Sequence, residues 1–431
     1  MDLLPEDVLA DVLGRLTPRS LAACRSVCQA WRAAVDAHRL LRADLLPLTL
    51  AGIYVVYFAR GEHCPPTFFS RPSVGEKIQG NLGYLDAIHD DCSYIGYHCN
   101  GLILLDEGVV NPATRQCARL PPYPDPTRVD GFFQEDFLTF DPTVSPHFEV
   151  VFMHCVRHRY PNDTELDSSG WPPSPYVMSV FSSKAWRWEE RSFARDGMAV
   201  RSVADVEPFL RNVYRNDAVY WPGRLYVYHI YFIIRFSLED NKYRVIQLPP
   251  MDEACGTIEP HLGKSTKGVY YGFVHGRCKL QMWFLNESTS DTKWILKHKI
   301  DLTPSLANFP WRHGDGSWSV QGVNHEALEE EGPEWDSDNE DGTISTATEV
   351  SVQEGFRGGI SILGFHPYKE IIFLHTWSKR VMAYHLNSFM LEDLGCLPLD
   401  GDDEILSSCT YTPYWMESCL RENSFEANTE L

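Results

Sequence analysis

Apolar side chains in the first 45 residues recur at the spacing of an α-helix. Pro5 can occupy a first helical position, and an apolar stripe then runs from Val8 to Leu16. Thr17-Pro18 repeats the helix-start signal. Later apolar residues lie four apart, at Val27, Trp31 and Val35. The pattern predicts a small all-α unit of three helices.

After Leu46 the pattern changes to short runs of β-branched and aromatic residues separated by Gly, Pro, Asn and Asp. Five units share one outline, an apolar run followed by a polar turn and a second strand that ends at a large apolar residue. These terminal residues are Leu120, Phe193, Leu248, Leu302 and Leu397, separated by 73, 55, 54 and 95 residues. The repetition predicts an all-β domain built from similar units.

Another apolar run precedes each of these hairpins, which gives about four antiparallel strands per unit, as in a blade of a β-propeller. A period in the fifties is near that of kelch-like repeats. A sixth blade is predicted to be composite, from "AGIYVVYFARGEHCPPTFFSRPS" near residue 50 and "SSCTYTPYWMES" near the end. Pairing the two ends would close the ring and remove its exposed edges. The alternative is an open stack of sheets or a sandwich.

Composition narrows the classes of partner. The formal net charge of -21 disfavours nucleic acid and anionic membrane surfaces, which both select clustered Lys and Arg. The acidic N-terminal sequence lacks the basic and long apolar regions of a secretory leader. We therefore expect a cytoplasmic or nuclear protein whose 12 cysteines are mostly free thiols.

Cysteine and histidine pairs offer candidate metal ligands, but none has zinc-finger spacing. Cys24 and Cys28 lie on predicted helices, where packing is the simpler role, and residues four apart are poorly placed for a disulfide. His98-Cys99 and similar pairs fall in strands, where adjacent side chains point to opposite faces. We predict no cofactor and no metal. A catalytic Cys–His pair and a pair of glycosidase carboxylates both remain as alternatives, because the sequence does not favour any particular residues for either.

The N-terminal segment resembles the F-box, a three-helix unit that docks on the Skp adaptor of cullin-RING ubiquitin ligases. The resemblance rests on Leu4-Pro5-Glu6-Asp7-Val8-Leu9, Leu13, Arg15-Leu16, Ser20-Leu21, Cys24-Arg25, Val27-Cys28 and Trp31-Arg32. It implies that the adaptor-binding residues are Leu4, Pro5, Val8, Leu9, Val12, Leu13, Leu16, Leu21, Val27, Cys28 and Trp31. Val27, Cys28 and Trp31 are expected to shape the packed unit.

Most of the remaining chain resembles the F-box-associated propeller of plant F-box proteins, through "YHCNGLILLD", "VVNPATRQCARLP" and "TFDPTVSPHFEVV". The predicted domains are an F-box at 1–45, a six-bladed propeller at 46–420 and a flexible tail at 421–431. The resemblance implies a non-catalytic substrate receptor that binds Skp and, through it, cullin and RING subunits, with a target protein on the propeller. The alternatives are a Skp-binding scaffold outside a ligase and a propeller enzyme acting on a sugar or small molecule.

The 95-residue spacing between Leu302 and Leu397 contains an acidic insertion, predicted at about residues 326–345. Nine carboxylates fall between Glu326 and Asp341, which is typical of a solvated disordered loop or a flexible arm for a basic partner. Ser337 lies in an acidic context that favours phosphorylation.

Deletion of residues 326–345 should change the free energy of unfolding by no more than about 1 kcal/mol, since surface-loop length costs little. Thermal unfolding of the deleted and intact chains checks this. A transition lowered by many degrees would instead show that the segment belongs to a blade.

Overall fold

Two helices precede a β-rich region in the computed structural model of the chain. The structure describes residues 6–16, 21, 24, 27–38, 40, 49–59, 61–71, 78, 82, 95–106, 108–122, 132–156, 170–197, 201–202, 218–229, 232–250, 259–287, 292–309, 316–321, 358–399, 403–415 and 420. Helix α1 spans Glu6–Leu13 and α2 spans Gln29–Ala37. Of the predicted middle helix, Leu21 and Cys24 are helical, and the rest lies outside the described residues.

The prediction that Val27 belongs to the last N-terminal helix was wrong. The amide of Val27 donates to the Cys24 carbonyl in a turn, and α2 begins only at Gln29. The Arg32 amide donates to the carbonyl of Cys28, which therefore precedes the first helical turn.

The β-rich region contains 27 strands among the described residues and one short helix, α3 (Thr303–Ala307). The strands are β1 (Gly52–Ala59), β2 (Glu62–His63), β3 (Thr67–Ser70), β4 (Tyr97–Cys99), β5 (Leu102–Leu105), β6 (Gly108–Asn111), β7 (Gln116–Arg119), β8 (Phe132–Thr139), β9 (Glu149–Val156), β10 (Gly170–Trp171), β11 (Tyr176–Ser182), β12 (Arg187–Arg195), β13 (Arg201–Ser202), β14 (Ala218–Trp221), β15 (Arg224–His229), β16 (Phe232–Ser237), β17 (Lys242–Gln247), β18 (Glu259–Ser265), β19 (Gly268–His275), β20 (Lys279–Asn286), β21 (Lys293–Asp301), β22 (Ser319–Val320), β23 (Ile360–Phe365), β24 (Ile371–Thr376), β25 (Arg380–His385), β26 (Met390–Cys396) and β27 (Glu404–Tyr411).

These strands form six principal antiparallel sheets, here called blades I to VI. Five are built from consecutive segments: blade II from β4–β7, blade III from β8, β9, β11 and β12, blade IV from β14–β17, blade V from β18–β21 and blade VI from β23–β26. The predicted terminal residues Leu120, Phe193, Leu248, Leu302 and Leu397 fall in or directly after the last strand of these five blades. The predicted repeat is therefore confirmed as one sheet per unit.

Blade I is composite. Strand β1 pairs along one edge with β27, from Gly52 opposite Tyr411 to Phe58 opposite Glu404. Its other edge pairs with β2 and β3, and β3 pairs in turn with β22. The predicted pairing of the two ends of the domain is thus confirmed.

Apolar clusters join every neighbouring pair of blades, so the six sheets close into a ring. Each cluster contains fully buried side chains from both blades that it joins. Representative members are Leu104, Phe137 and Leu225 for blades II to IV, Tyr226 and Tyr271 for IV and V, Met282 and Tyr384 for V and VI, Phe373 and Val55 for VI and I, and Val56 and Val110 for I and II. A closed ring of antiparallel sheets is the architecture of a β-propeller, which confirms the predicted fold class.

In blades II to VI the first strand lies at the centre of the ring. In blade I that place is taken by β27. There neighbouring strands pack closely: a Cβ added to Gly263 of β18 would stand only 2.0 Å from the Phe365 ring of β23. The hydroxyls of Ser408 and Thr410 donate to the carbonyls of Leu363 and Phe365, at 2.7 and 3.0 Å. Strand β27 is therefore bonded to blade VI as well as to β1.

Two features of the ring were not predicted. Strand β22 completes the outer edge of blade I, although it follows blade V in sequence. Strands β12 and β17 pair in parallel through Ala194 opposite Lys242, which joins the outer edges of blades III and IV. The domain limits 46–420 enclose all the described strands and stay a prediction. The predicted acidic insertion and tail lie outside the described residues and also stay predictions.

None of the helices within the described residues is long and apolar enough to cross a membrane.

Truncation after Gly401 should cause aggregation, because it removes β27 and exposes the unpaired edge of β1 together with apolar side chains of blades I and II. Truncation after Arg421 removes only the polar "ENSFEANTEL" and should leave a soluble chain. Size-exclusion chromatography and thermal unfolding of both products provide the test. If the shorter product is monomeric and unfolds cooperatively, β27 does not hold the ring closed.

Candidate partner-binding surfaces

The N-terminal helices pack around a small apolar core. Its buried members are Leu13, Leu21, Ala34 and Val35, against which Leu9, Cys24, Trp31 and Leu40 are partly buried. So few buried side chains give little stability by themselves, because a small unit removes only a small share of its surface from water.

One face of the first helical segment leaves large apolar residues in solvent. Val8, Val12 and Leu16 are 44%, 50% and 39% exposed. Val8 and Val12, four residues apart in α1, lie on the same side of the helix, and Leu16 follows in the turn after α1. These three residues are called here the α1 stripe. Val27 adds a fourth exposed apolar side chain in the turn before α2, at 62%. A contiguous apolar stripe on a small unit is typical of a surface that a partner covers.

The structure divides the predicted adaptor-binding residues into three sets. Val8, Val12, Leu16, Val27 and Cys28 are exposed, whereas Leu9 and Trp31 are partly buried. Leu13 and Leu21 belong to the core at 1% and 2% exposure, so they support the unit from within instead of lining its surface. Leu4 and Pro5 lie outside the described residues. Val27 and Cys28 do not pack in the core as predicted, because both precede α2 in an exposed turn.

The cysteine side chains described next are free thiols that pack against neighbouring residues or donate hydrogen bonds. Partial burial raises the pKa of the Cys24 thiol above its ordinary value, and Cys24 and Cys28 are both free thiols. In the ring, burial raises the pKa of Cys99 to about 11 and lowers that of His98 to about 4. The Cys99 thiol donates to the Phe140 carbonyl at 3.4 Å. Within the described residues, no three His, Cys, Asp or Glu side chains are grouped so that they could hold a metal ion.

A polar cluster, missed by the sequence analysis, lies at the centre of the ring. Lys264 of β18 donates from Nζ to Asn100 Oδ1 at 2.9 Å and to the Tyr220 carbonyl at 3.0 Å. Asn100 in turn donates from Nδ2 to the Phe140 carbonyl at 2.6 Å. We call Asn100, Phe140, Tyr220 and Lys264 the axial cluster.

The axial cluster joins four blades. Asn100 directly follows β4 of blade II, Phe140 follows β8 of blade III, Tyr220 lies on β14 of blade IV, and Lys264 is on blade V. Blades II and V stand opposite each other in a ring of six, so the lysine crosses the axis to reach Asn100. Asn100 adopts a left-handed φ of 46°, which asparagine tolerates better than most residues.

Comparison with known proteins gives one family match and several distant relatives. The F-box-like family matches residues 1–43. F-box protein At5g07610 of Arabidopsis thaliana is 22% identical over 71% of this chain and 72% of its own length. F-box protein CPR1 of the same plant is 23% identical over 72% of this chain and 76% of its own. A solved structure of a protein from Lactobacillus plantarum aligns over 84% of this chain and 99% of its own at 8% identity, with a TM-score of 0.34.

Leu13→Ala and Val12→Ala separate the core of the N-terminal unit from its surface. Leu13→Ala should destabilise the unit by about 2–5 kcal/mol, the usual cost of emptying a buried leucine site, whereas Val12→Ala should stay within about 0.5 kcal/mol. Limited proteolysis near residue 20 and circular dichroism of the helices report the difference. Equal effects of the two substitutions would contradict the assignment of Leu13 to the core.

Proposed function

We propose that this chain, which has an F-box-like domain at its N terminus and is similar to plant F-box proteins over most of its length, is the substrate-recognition subunit of a Skp–cullin–F-box ubiquitin ligase. The observation that carries the proposal is the coincidence of the F-box-like match with the α1 stripe. The stripe is the apolar surface on which a Skp-family adaptor would dock.

The proposed mechanism is one of connection. The N-terminal unit anchors the chain to the adaptor and thereby to the cullin and RING subunits, and the propeller holds a target protein. Holding the target near the ubiquitin-charged enzyme raises its effective concentration at the transfer site. The chain itself then needs no catalytic group, and the transfer chemistry belongs to other subunits. We place this complex in the cytoplasm or nucleus. We also propose that the repeats of the propeller are kelch-like.

Co-purification tests the ligase role against a scaffold role. The intact chain should capture both a Skp-family adaptor and a cullin, whereas a chain lacking residues 1–45 should capture neither. Capture of the adaptor without any cullin would support a Skp-binding scaffold outside a ligase and would contradict our proposal.

Val8→Asp/Val12→Asp should weaken adaptor binding about tenfold or more, because each substitution places a charge in an apolar contact. Leu4-Pro5→Ala-Ala should have a similar effect. The matched control is Val144→Asp in the β8–β9 hairpin of blade III, where the valine is 80% exposed. Pull-down with a purified adaptor and thermal unfolding of the propeller are measured on each variant.

The expected result is lost capture in the first two variants, unchanged capture in the control, and unchanged unfolding of the propeller in all three. Undiminished capture by the Val8/Val12 variant would show that the α1 stripe is not the docking surface.

A further inference from the structure

The ammonium group of Lys264 is held at the centre of the ring by neutral acceptors. The donation from Asn100 Nδ2 to the Phe140 carbonyl fixes the orientation of the Asn100 amide, so Oδ1 faces Lys264. The second acceptor is the backbone carbonyl of Tyr220. An ammonium group has three N–H donors, and these contacts use two of them.

No carboxylate in the described part of the chain lies within ion-pair distance of this ammonium. Lys267, three residues further on in the β18–β19 turn, has its Nζ 3.7 Å from Glu370 Oε2. Cys99 and Asp141 are the acidic groups that influence Lys264. Burial raises the pKa of Cys99 to about 11, and Asp141 Oδ1 accepts from the amide and the hydroxyl of Thr143, at 3.0 and 2.6 Å. The charge of Lys264 is therefore positioned but not neutralised by direct contact.

Burial makes this arrangement costly. A cation taken out of water and given only neutral acceptors loses more solvation than it regains, and burial accordingly lowers the pKa of Lys264. Lys264 is half-buried and lies one residue before the end of β18, at the end of the ring that carries the β4–β5 and β18–β19 turns, called here the hairpin end. A half-buried cation with a free donor on the axis is the arrangement expected where an anionic group of a ligand completes the set of contacts.

Tyrosines of the two neighbouring blades contact the β18–β19 hairpin through their backbone carbonyls, Tyr220 at Lys264 and Tyr368 at Thr266. Tyr220 lies beside the lysine on blade IV, and burial raises its pKa to about 12, so its hydroxyl stays protonated at neutral pH. Tyr368 is half-buried in the β23–β24 hairpin of blade VI, and burial raises its pKa as well.

We propose that the hairpin end of the ring binds an anionic oxygen group, a carboxylate or a phosphate, of the target protein, and that Lys264 contacts it directly. This inference rests on the proposed role of the propeller as the target-holding domain. It identifies the chemistry of the bound segment, which is acidic or phosphorylated, although the chain itself carries a net charge of -21. A single fixed ammonium in a chain of that net charge gives selectivity by position instead of by a general basic field.

The test measures binding of three probes to the purified full-length chain by calorimetry at low salt. The probes are a pentaglutamate peptide, a phosphoserine peptide of the same length with glycine at its other positions, and a pentalysine peptide. Lys264→Met should weaken binding of the preferred acidic probe about 10-fold to 100-fold, the usual effect of removing one charge-assisted contact. Lys242→Met, at an exposed lysine on the outer strand of blade IV, is the matched control and should change binding less than twofold.

Two further variants keep the test decisive if Lys264→Met fails to fold. Lys264→Arg retains the charge and should retain binding within about tenfold. Asn100→Asp places a carboxylate at the 2.9 Å contact and should abolish binding of the acidic probes by occupying the ammonium. Thermal unfolding of every variant identifies those that remain folded.

A preference for pentaglutamate identifies a carboxylate as the ligand group, and a preference for the phosphoserine peptide identifies a phosphate. The proposal is overturned if neither acidic probe binds, if pentalysine binds as tightly as both, or if folded Lys264→Met and Asn100→Asp bind like the unaltered chain. Adaptor capture is measured on the same variants and should be unchanged. Its loss would instead bear on the proposed ligase role.

Discussion

The pairing of β27 with β1 is the constraint on which the ring depends. These strands lie more than 340 residues apart in sequence, and their register runs from Gly52 opposite Tyr411 to Phe58 opposite Glu404. Without it, β1 would have an open edge and blade VI would lose the hydroxyl contacts from Ser408 and Thr410. An unpaired strand edge invites pairing with other chains, so closure protects the whole propeller from association as well as completing one sheet.

Closure also removes much of each interface between blades from water, where an ionised group is costly unless it is paired. Between blades IV and V, Glu287 accepts from Tyr226 at 2.5 Å and from Arg224 at 3.1 Å, and it also pairs with Arg235. Between V and VI, Glu370 accepts from the hydroxyls of Ser265 and Tyr270, each at 2.6 Å. A carboxylate that is largely removed from water is costly without such partners, so these contacts favour one orientation of the neighbouring blades as they pack.

Local sequence signals were sufficient to predict the repeats, because each of the five consecutive blades carries its own apolar runs and turns. The composite blade was predictable in part, since "CTYTPYW" has the content of a strand that needs a partner. Strand β22 was not, because Ser319 and Val320 are too short a segment to give a periodic pattern and join blade I only through tertiary pairing. The burial of Leu13 and Leu21 was missed for a related reason. An apolar stripe on a helix does not by itself show which of its members face the core and which a partner.

The position of Lys264 in the axial cluster could not be predicted from the sequence, because it depends on the closure of the ring. In "HLGKSTKG" it is one polar residue of a strand, and only the ring brings it to Asn100, which lies 164 residues earlier on the opposite blade. The pairing that closes the ring also sets the end of the ring at which the chain enters blade I. Gly52 pairs with Tyr411 at the end of the ring where Tyr414 lies against Gly101, next to the axial cluster. Eleven residues separate Leu40 from Gly52, a connection of twelve steps that reaches at most about 40 Å when fully extended. The N-terminal unit is therefore tethered, by at most that length of chain, to the same end of the ring that carries Lys264.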